Sequence, residues 1–323
     1  MSSTTQLLAR RFGVAAGLLG LLAGCGDAKS SDSAAESGPP PDTTPPQEFA
    51  SPESAAAALV LAAEKFDVPA LKAILGGQGA VLVETEDTVH DRTTATAFAA
   101  EARQKQRIEL DSTKKVAVLS VGPSDWPMPI PIVEQDGKWA FDAAAGREEV
   151  LRRRIGRNEL DAIQVCHGYV EAQKEYALTR HDGAMVNQYA QRVISSPGKQ
   201  DGLAWQTPDG KWAGPVGEEI ARAIAEGYKE KYEPYHGYNF KILKGQGPAA
   251  PMGQMDFMVD GAMIGGFALV AAPAEYLVTG VNTFIVSHDG IVYEKDLGEQ
   301  TLEAFRKMER YNPDSTWKPV PDA

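Results

Sequence analysis

The sequence predicts an α+β fold: a small helix-plus-antiparallel-sheet domain, then a long helix packed on an antiparallel β-meander. Three features point there. From 146 to about 178, Leu151, Ile155, Ala162, Cys166, Tyr169, Val170 and Ala177 share one stripe at 3.6 residues per turn. Asp136-Gly137, a hairpin signal, separates apolar stretches at 130–133 and 138–141. Four strand-like runs follow residue 238.

In chain order, Ser51-Pro52-Glu53 opens a helix to about Lys65, because Ser is a good N-cap and Pro suits the first helical position. Asp67 caps a short helix ended by Gly76-Gly77, and a third helix covers about 93–106. Val116, Val118, Leu119 and Val121 mark a strand ahead of the hairpin. The first domain is expected at 49–143. After the long helix, a helix is expected from Pro215 to near Gly227, with Ile220, Ile224 and Tyr228 in phase. The strands are expected at 238–243, 264–271, 281–287 and 291–295, with His288-Asp289-Gly290 turning the last pair. A helix on a meander is a two-layer solution for a second domain at 146–323.

The N-terminus has a different character. Arg10 and Arg11 precede an apolar run at 12–22, too short to span a membrane, and this reads as an export signal over 1–24. Leu22-Ala23-Gly24-Cys25 resembles the lipobox of bacterial lipoproteins. That resemblance implies cleavage before Cys25 and acylation, palmitate included, of its thiol and new amine. Gly26 in place of Asp implies the outer membrane, facing the periplasm. Residues 25–48, rich in Ser, Pro, Asp and Ala, read as a disordered tether.

Loss of the signal removes Arg10 and Arg11 and takes the formal charge from −12 to −14. So acidic a chain is a poor nucleic-acid binder, since phosphates call for clustered Lys and Arg. With Cys25 acylated, Cys166 is the remaining thiol and no intramolecular disulfide forms.

Several stretches resemble a bacterial lipoprotein family known as domain of unknown function 2950. They are Asp125-Trp126-Pro127-Met128-Pro129-Ile130-Pro131, Gly146-Arg147-Glu148-Glu149, Arg153-Arg154-Ile155-Gly156-Arg157-Asn158-Glu159-Leu160, Pro234-Tyr235-His236-Gly237-Tyr238, Gly265-Gly266-Phe267-Ala268-Leu269 and 289–298. The resemblance implies an envelope protein and carries no catalytic residues. The element order of the first domain resembles the NTF2-like cone fold. The second half is similar to the head of type IV pilins and pseudopilins, with Gly237-Tyr238-Asn239-Phe240 like their Gly-Tyr-x-Phe strand. Its helix departs from pilins by starting with charged Arg147, Glu148 and Glu149, which bars membrane insertion.

No catalytic constellation stands out: there is no Gly-x-Ser-x-Gly elbow and no Walker loop. His90, His167, His181, His236 and His288 lack the spacing of a zinc site, so neither metal nor cofactor is expected. Cys166 reads as a buried, inert thiol and His288 as a solvated turn residue. Trp126, Tyr235, His236 and Tyr238 are candidate pocket residues, since aromatics and His at a loop-to-strand junction can line a pocket. Against that, Trp126 reads as a core lid and His236 as a structural His bonded to backbone. Arg153 and Arg157 are candidates for an acidic partner, set against local ion pairs with Glu148, Glu149 and Glu159.

These observations lead to a lipid-anchored envelope protein, a non-enzymatic module for protein or glycan binding. The alternatives are an envelope-polymer hydrolase using His236 and a small-molecule carrier with an NTF2-like cavity.

Overall fold

The computed structural model describes residues 42–84, 88–216 and 234–321. The signal peptide, Leu22, Ala23, Gly24, Cys25 and nearly all of the helix expected at 215–227 lie outside them. The described residues form an α+β structure with two hydrophobic cores.

The first core is built by α1 (Pro52–Lys65), α2 (Val68–Leu75), α3 (Ala80–Val83) and α4 (Thr88–Gln104) against a five-stranded antiparallel sheet. A capping box starts α1: Ser54 N–H donates to Ser51 Oγ at 3.2 Å, and Ser51 N–H to Ser54 Oγ at 3.1 Å. Asp67 caps α2 through Ala70 N–H at 3.1 Å. The sheet runs β1 (Gln106–Leu110), β2 (Val116–Val121), β4 (Ile132–Gln135), β5 (Lys138–Phe141), with β3 (Trp126–Pro127) also on β2. Asp136 (φ 52°) and Gly137 (φ 78°) turn the β4–β5 hairpin with both central residues left-handed, the geometry that Asp-Gly favours. Leu59, Leu119, Ile132 and Phe141 fill the core.

The expected tether boundary moves. Thr44 C=O accepts Gly77 N–H at 2.8 Å and Gln47 N–H donates to Ala73 C=O at 3.0 Å, while Phe49 pairs with Trp139 on the edge of β5. The chain is therefore packed by Thr44, because the end of α2 offers backbone partners that composition does not reveal.

The long helix α5 (Ala143–Tyr176) begins three residues before the expected start, capped by Asp142 through Ala145 N–H at 3.0 Å. Its 34 residues extend about 50 Å. Its first turn belongs to the first core: a Cβ on Gly146 would lie 2.7 Å from Ile130 Cγ1. From Ala162 it belongs to the second, through Cys166, Tyr169 and Val170. At 100° per residue these two contact faces lie on roughly opposite sides of the helix.

The second core is covered by an antiparallel meander in sequence order: β9 (Tyr238–Leu243), β14 (Ala268–Pro273), β15 (Asn282–Ser287), β16 (Val292–Asp296) and β17 (Lys318–Pro319). Every residue of β14 is buried, so both faces of that strand are covered, and α5 and α6 (Thr301–Lys307) both pack against it. Three strands not foreseen, β6 (Arg192–Ile194), β7 (Gly202–Gln206) and β8 (Trp212–Ala213), form a small sheet beside α5. Two short ribbons, β10 (Gly245–Gln246) with β11 (Met255–Asp256) and β12 (Met258–Val259) with β13 (Ala262–Met263), lie in the β9–β14 connection. Gln173 is fully buried and clamps Ala190, accepting its N–H and donating to its C=O, both at 2.8 Å.

Candidate functional site: an exposed strip along the long helix

The middle of α5, between its two buried ends, carries polar side chains that reach into both halves. Near its start, Glu149 accepts hydrogen bonds from Arg152 (2.8 Å) and Arg153 (2.8 Å). The Arg153 bond, then that from Arg152, holds the Glu149 carboxyl below its ordinary pKa. Arg153 also donates to Pro127 C=O at 2.7 Å and places its guanidinium 5.4 Å from the Trp126 ring centroid. Trp126 is 46% exposed. It sits on β3, opposite Val121, after a turn in which Asp125 is left-handed (φ 53°) and accepts from Lys105 Nζ at 2.7 Å.

One turn further along, three nearly consecutive side chains grip two loops of the second half. Asn158 Nδ2 donates to Thr279 C=O at 2.8 Å. Glu159 Oε1 accepts the N–H groups of Val281 and Asn282, both at 2.9 Å. Asp161 Oδ2 lies 2.7 Å from His236 Nδ1. His236 is left-handed (φ 49°), its side chain 47% exposed, its ring 4.3 Å from that of Tyr235. Gly237 (φ 75°) lets this loop approach: a Cβ there would lie 2.6 Å from Asn158 Nδ2.

Two groups of residues predicted separately therefore meet on one helix. Arg153, Arg157 and Asp161 stand at i, i+4 and i+8, neighbours on one face over about 12 Å. Trp126 joins at one end through Arg153, Tyr235 and His236 at the other through Asp161. Trp126 is thus not a core lid, and His236 is bonded to a carboxylate rather than to backbone. Tyr238 does not join. It is fully buried, donates to Asn282 C=O at 2.9 Å, and burial raises its pKa. Arg157 is exposed, as is Leu160 at 63%. The local pairing expected of the arginines holds for Arg152 and Arg153 but not for Arg157, because Glu159 and Asp161 are taken up by the second half.

Trp126, Arg157, Leu160 and His236 are exposed along the strip. A depression of about 300 Å³ lies elsewhere, lined by Lys244, Gly245, Asp256, Met258, Glu309 and Arg310. Among the described residues, no cluster of three His, Cys, Asp or Glu side chains could hold a metal ion, and no helix is long and apolar enough to cross a membrane. The Cys166 thiol is buried and burial pushes its pKa up to about 12, so it is a poor nucleophile. His181 is also buried, stacked on Tyr176 with ring centroids 3.9 Å apart, its Nε2 3.0 Å from Tyr176 C=O. His288 is not the solvated turn residue expected: its Nδ1 is buried and it faces the rings of Phe257 and Phe267. The side chain of His90 lies outside the description.

The pairing of Glu149 with Arg152 and Arg153 was expected, while the grips of Asn158, Glu159 and Asp161 on the second half were missed in the sequence. The available signal was a run of hydrogen-bonding side chains interrupting an apolar stripe at mid-helix.

Fold and strip define a two-core α+β protein with an exposed polar helix face. The chain belongs to the family described as "Protein of unknown function (DUF2950)", whose profile matches residues 46–320. No curated protein and no solved structure matches it.

Proposed function

We propose that the chain is an outer-membrane lipoprotein, acylated on Cys25 behind Leu22-Ala23-Gly24 and facing the periplasm. Its body acts as a non-enzymatic module for protein or glycan binding during envelope assembly. The observation that carries this reading is the strip itself: exposed Trp126, Arg157 and Leu160 line one helix face beside the part-exposed Arg153, a surface a partner can dock on. A helix followed by a meander is the order expected of a pilin-like head, an analogy of fold that by itself fixes no function.

Arg157→Glu tests it. Arg157 has no structural partner among the described residues, so reversal leaves the fold intact. The variant should lose partners captured by envelope crosslinking. Capture of the same partners by Arg157→Glu as by wild type would overturn the binding reading. The anchor is tested by feeding cells an alkyne fatty acid: wild type should label, and equal labelling of Cys25→Ser would refute acylation there.

A second reading rests on the 2.7 Å His236–Asp161 pair, since a carboxylate on Nδ1 orients an imidazole and leaves Nε2 to act as general base. That reading predicts release of soluble fragments from purified envelope polymer, lost in both His236→Ala and Asp161→Asn. No release by the wild-type chain would dismiss it.

A further inference from the structure

Arg147, Arg154 and Arg157 are exposed, and among the described residues none of the three makes an ion pair or hydrogen bond. Among the described residues, the acids of the same helix that could neutralise them are engaged elsewhere. Glu149 holds Arg152 and Arg153, Glu159 accepts two backbone N–H groups, and Asp161 holds His236. Glu148 lies at least about 100° round the helix from all three. At 100° and 1.5 Å per residue, the three guanidinium groups share an arc of about 80° over about 15 Å of helix axis. Arg154 and Arg157, at i and i+3, repel one another in the free protein. One turn before Arg157 stands Arg153, with the exposed indole of Trp126 beside it.

A row of unneutralised guanidinium groups on a chain of net charge −12 fits an anionic partner, and arginine binds a carboxylate through two parallel N–H groups. The row is long and open, so it fits a polymer whose charges recur along its length. An indole beside the row, next to Arg153, offers an apolar face to the C–H surface of a sugar ring, which a simple polyanion lacks. We propose that this face of α5 binds an acidic glycan, with carboxylates against Arg147, Arg154 and Arg157 and a sugar ring against Trp126. This rests on the reading of α5 as the working surface and names the partner that surface takes.

The test is a binding titration of the full chain in detergent, with polygalacturonate as the acidic glycan, dextran as a neutral glycan and polyglutamate as a polyanion without sugar rings. Polygalacturonate should bind and weaken with added salt, and dextran should not bind. The double variant Arg154→Ser/Arg157→Ser should bind polygalacturonate at least about tenfold more weakly, two charge-assisted contacts being lost. Trp126→Ala should weaken polygalacturonate but leave polyglutamate unchanged. Unaltered circular dichroism in each variant excludes unfolding as the cause. Failure of polygalacturonate to bind at low salt would overturn the proposal. So would polyglutamate binding as tightly as polygalacturonate with no effect of Trp126→Ala, which would assign the row to an acidic peptide. Either result would leave crosslinking through Arg157 as a separate test of the surface reading.

Discussion

Cys166 and Glu149 show how a side chain's neighbours set its chemistry. Cys166 sits on the apolar stripe of α5 with no exposed surface, and burial raises its pKa to about 12. The native protein should therefore resist a thiol reagent at pH 8 and label fully in guanidinium; labelling at equal rates would show that the second core opens there. Glu149 is the opposite case. Arg153 and Arg152 lower its folded-state pKa below the ordinary value of 4.5, so its contribution to stability is present above that value and is lost as pH falls through the lowered one. Wild type should melt above Glu149→Gln at neutral pH, and the two should converge below pH 4.5. A gap that widened in acid would contradict the sign. Cys166 was readable from its place in a 3.6-residue pattern. The engagement of Glu159 and Asp161 was not, because their partners lie more than seventy positions away in the chain.

The long helix is legible in its second half: Ala162, Cys166, Tyr169 and Val170 of the expected stripe are buried, because the stripe repeats over several turns there. Its first half departs from the expectation, since Leu151 and Ile155 belong to neither core and Asp142 starts the helix three residues early. The same reasoning finds the Asp136-Gly137 hairpin, since type I′ geometry narrows the residues a turn accepts. It misses β1, whose Gln106, Arg107 and Glu109 are exposed and give no apolar alternation, and α6, seven residues that owe their place to Phe305 and Met308 meeting the second core. Two glycines on α5 separate its roles. Gly146 sits against Ile130, so Gly146→Val should destabilise by about 1–3 kcal/mol through overpacking. Gly156 has no neighbour within 4 Å of a built Cβ, so Gly156→Ala should stabilise by roughly 0.5–1 kcal/mol by improving helix propensity. Denaturant melts of both variants check the pair; equal and opposite-sign failure, with Gly146→Val neutral and Gly156→Ala destabilising, would mean that α5 meets the first core in another register.

At the scale of the molecule, α5 joins two cores and leaves between them a face that neither covers. Its buried ends fix its position, and its middle presents Arg154, Arg157 and Leu160 beside Trp126 at one end and His236 at the other. The two candidate groups were each visible in the sequence as unusual residue types, aromatics around a His and a cluster of arginines. Their meeting was not visible, because it depends on Arg153 and Asp161 lying two turns apart on a helix that touches both cores. Binding at this face is the central claim, and a photoreactive residue in place of Leu160 tests it most directly in living cells. Leu160 is 63% exposed and supports neither core, so the replacement should fold. The binding reading predicts a crosslinked adduct at this position that disappears when Arg154→Glu and Arg157→Glu are added. No adduct, or an adduct unchanged by the reversed charges, would contradict it.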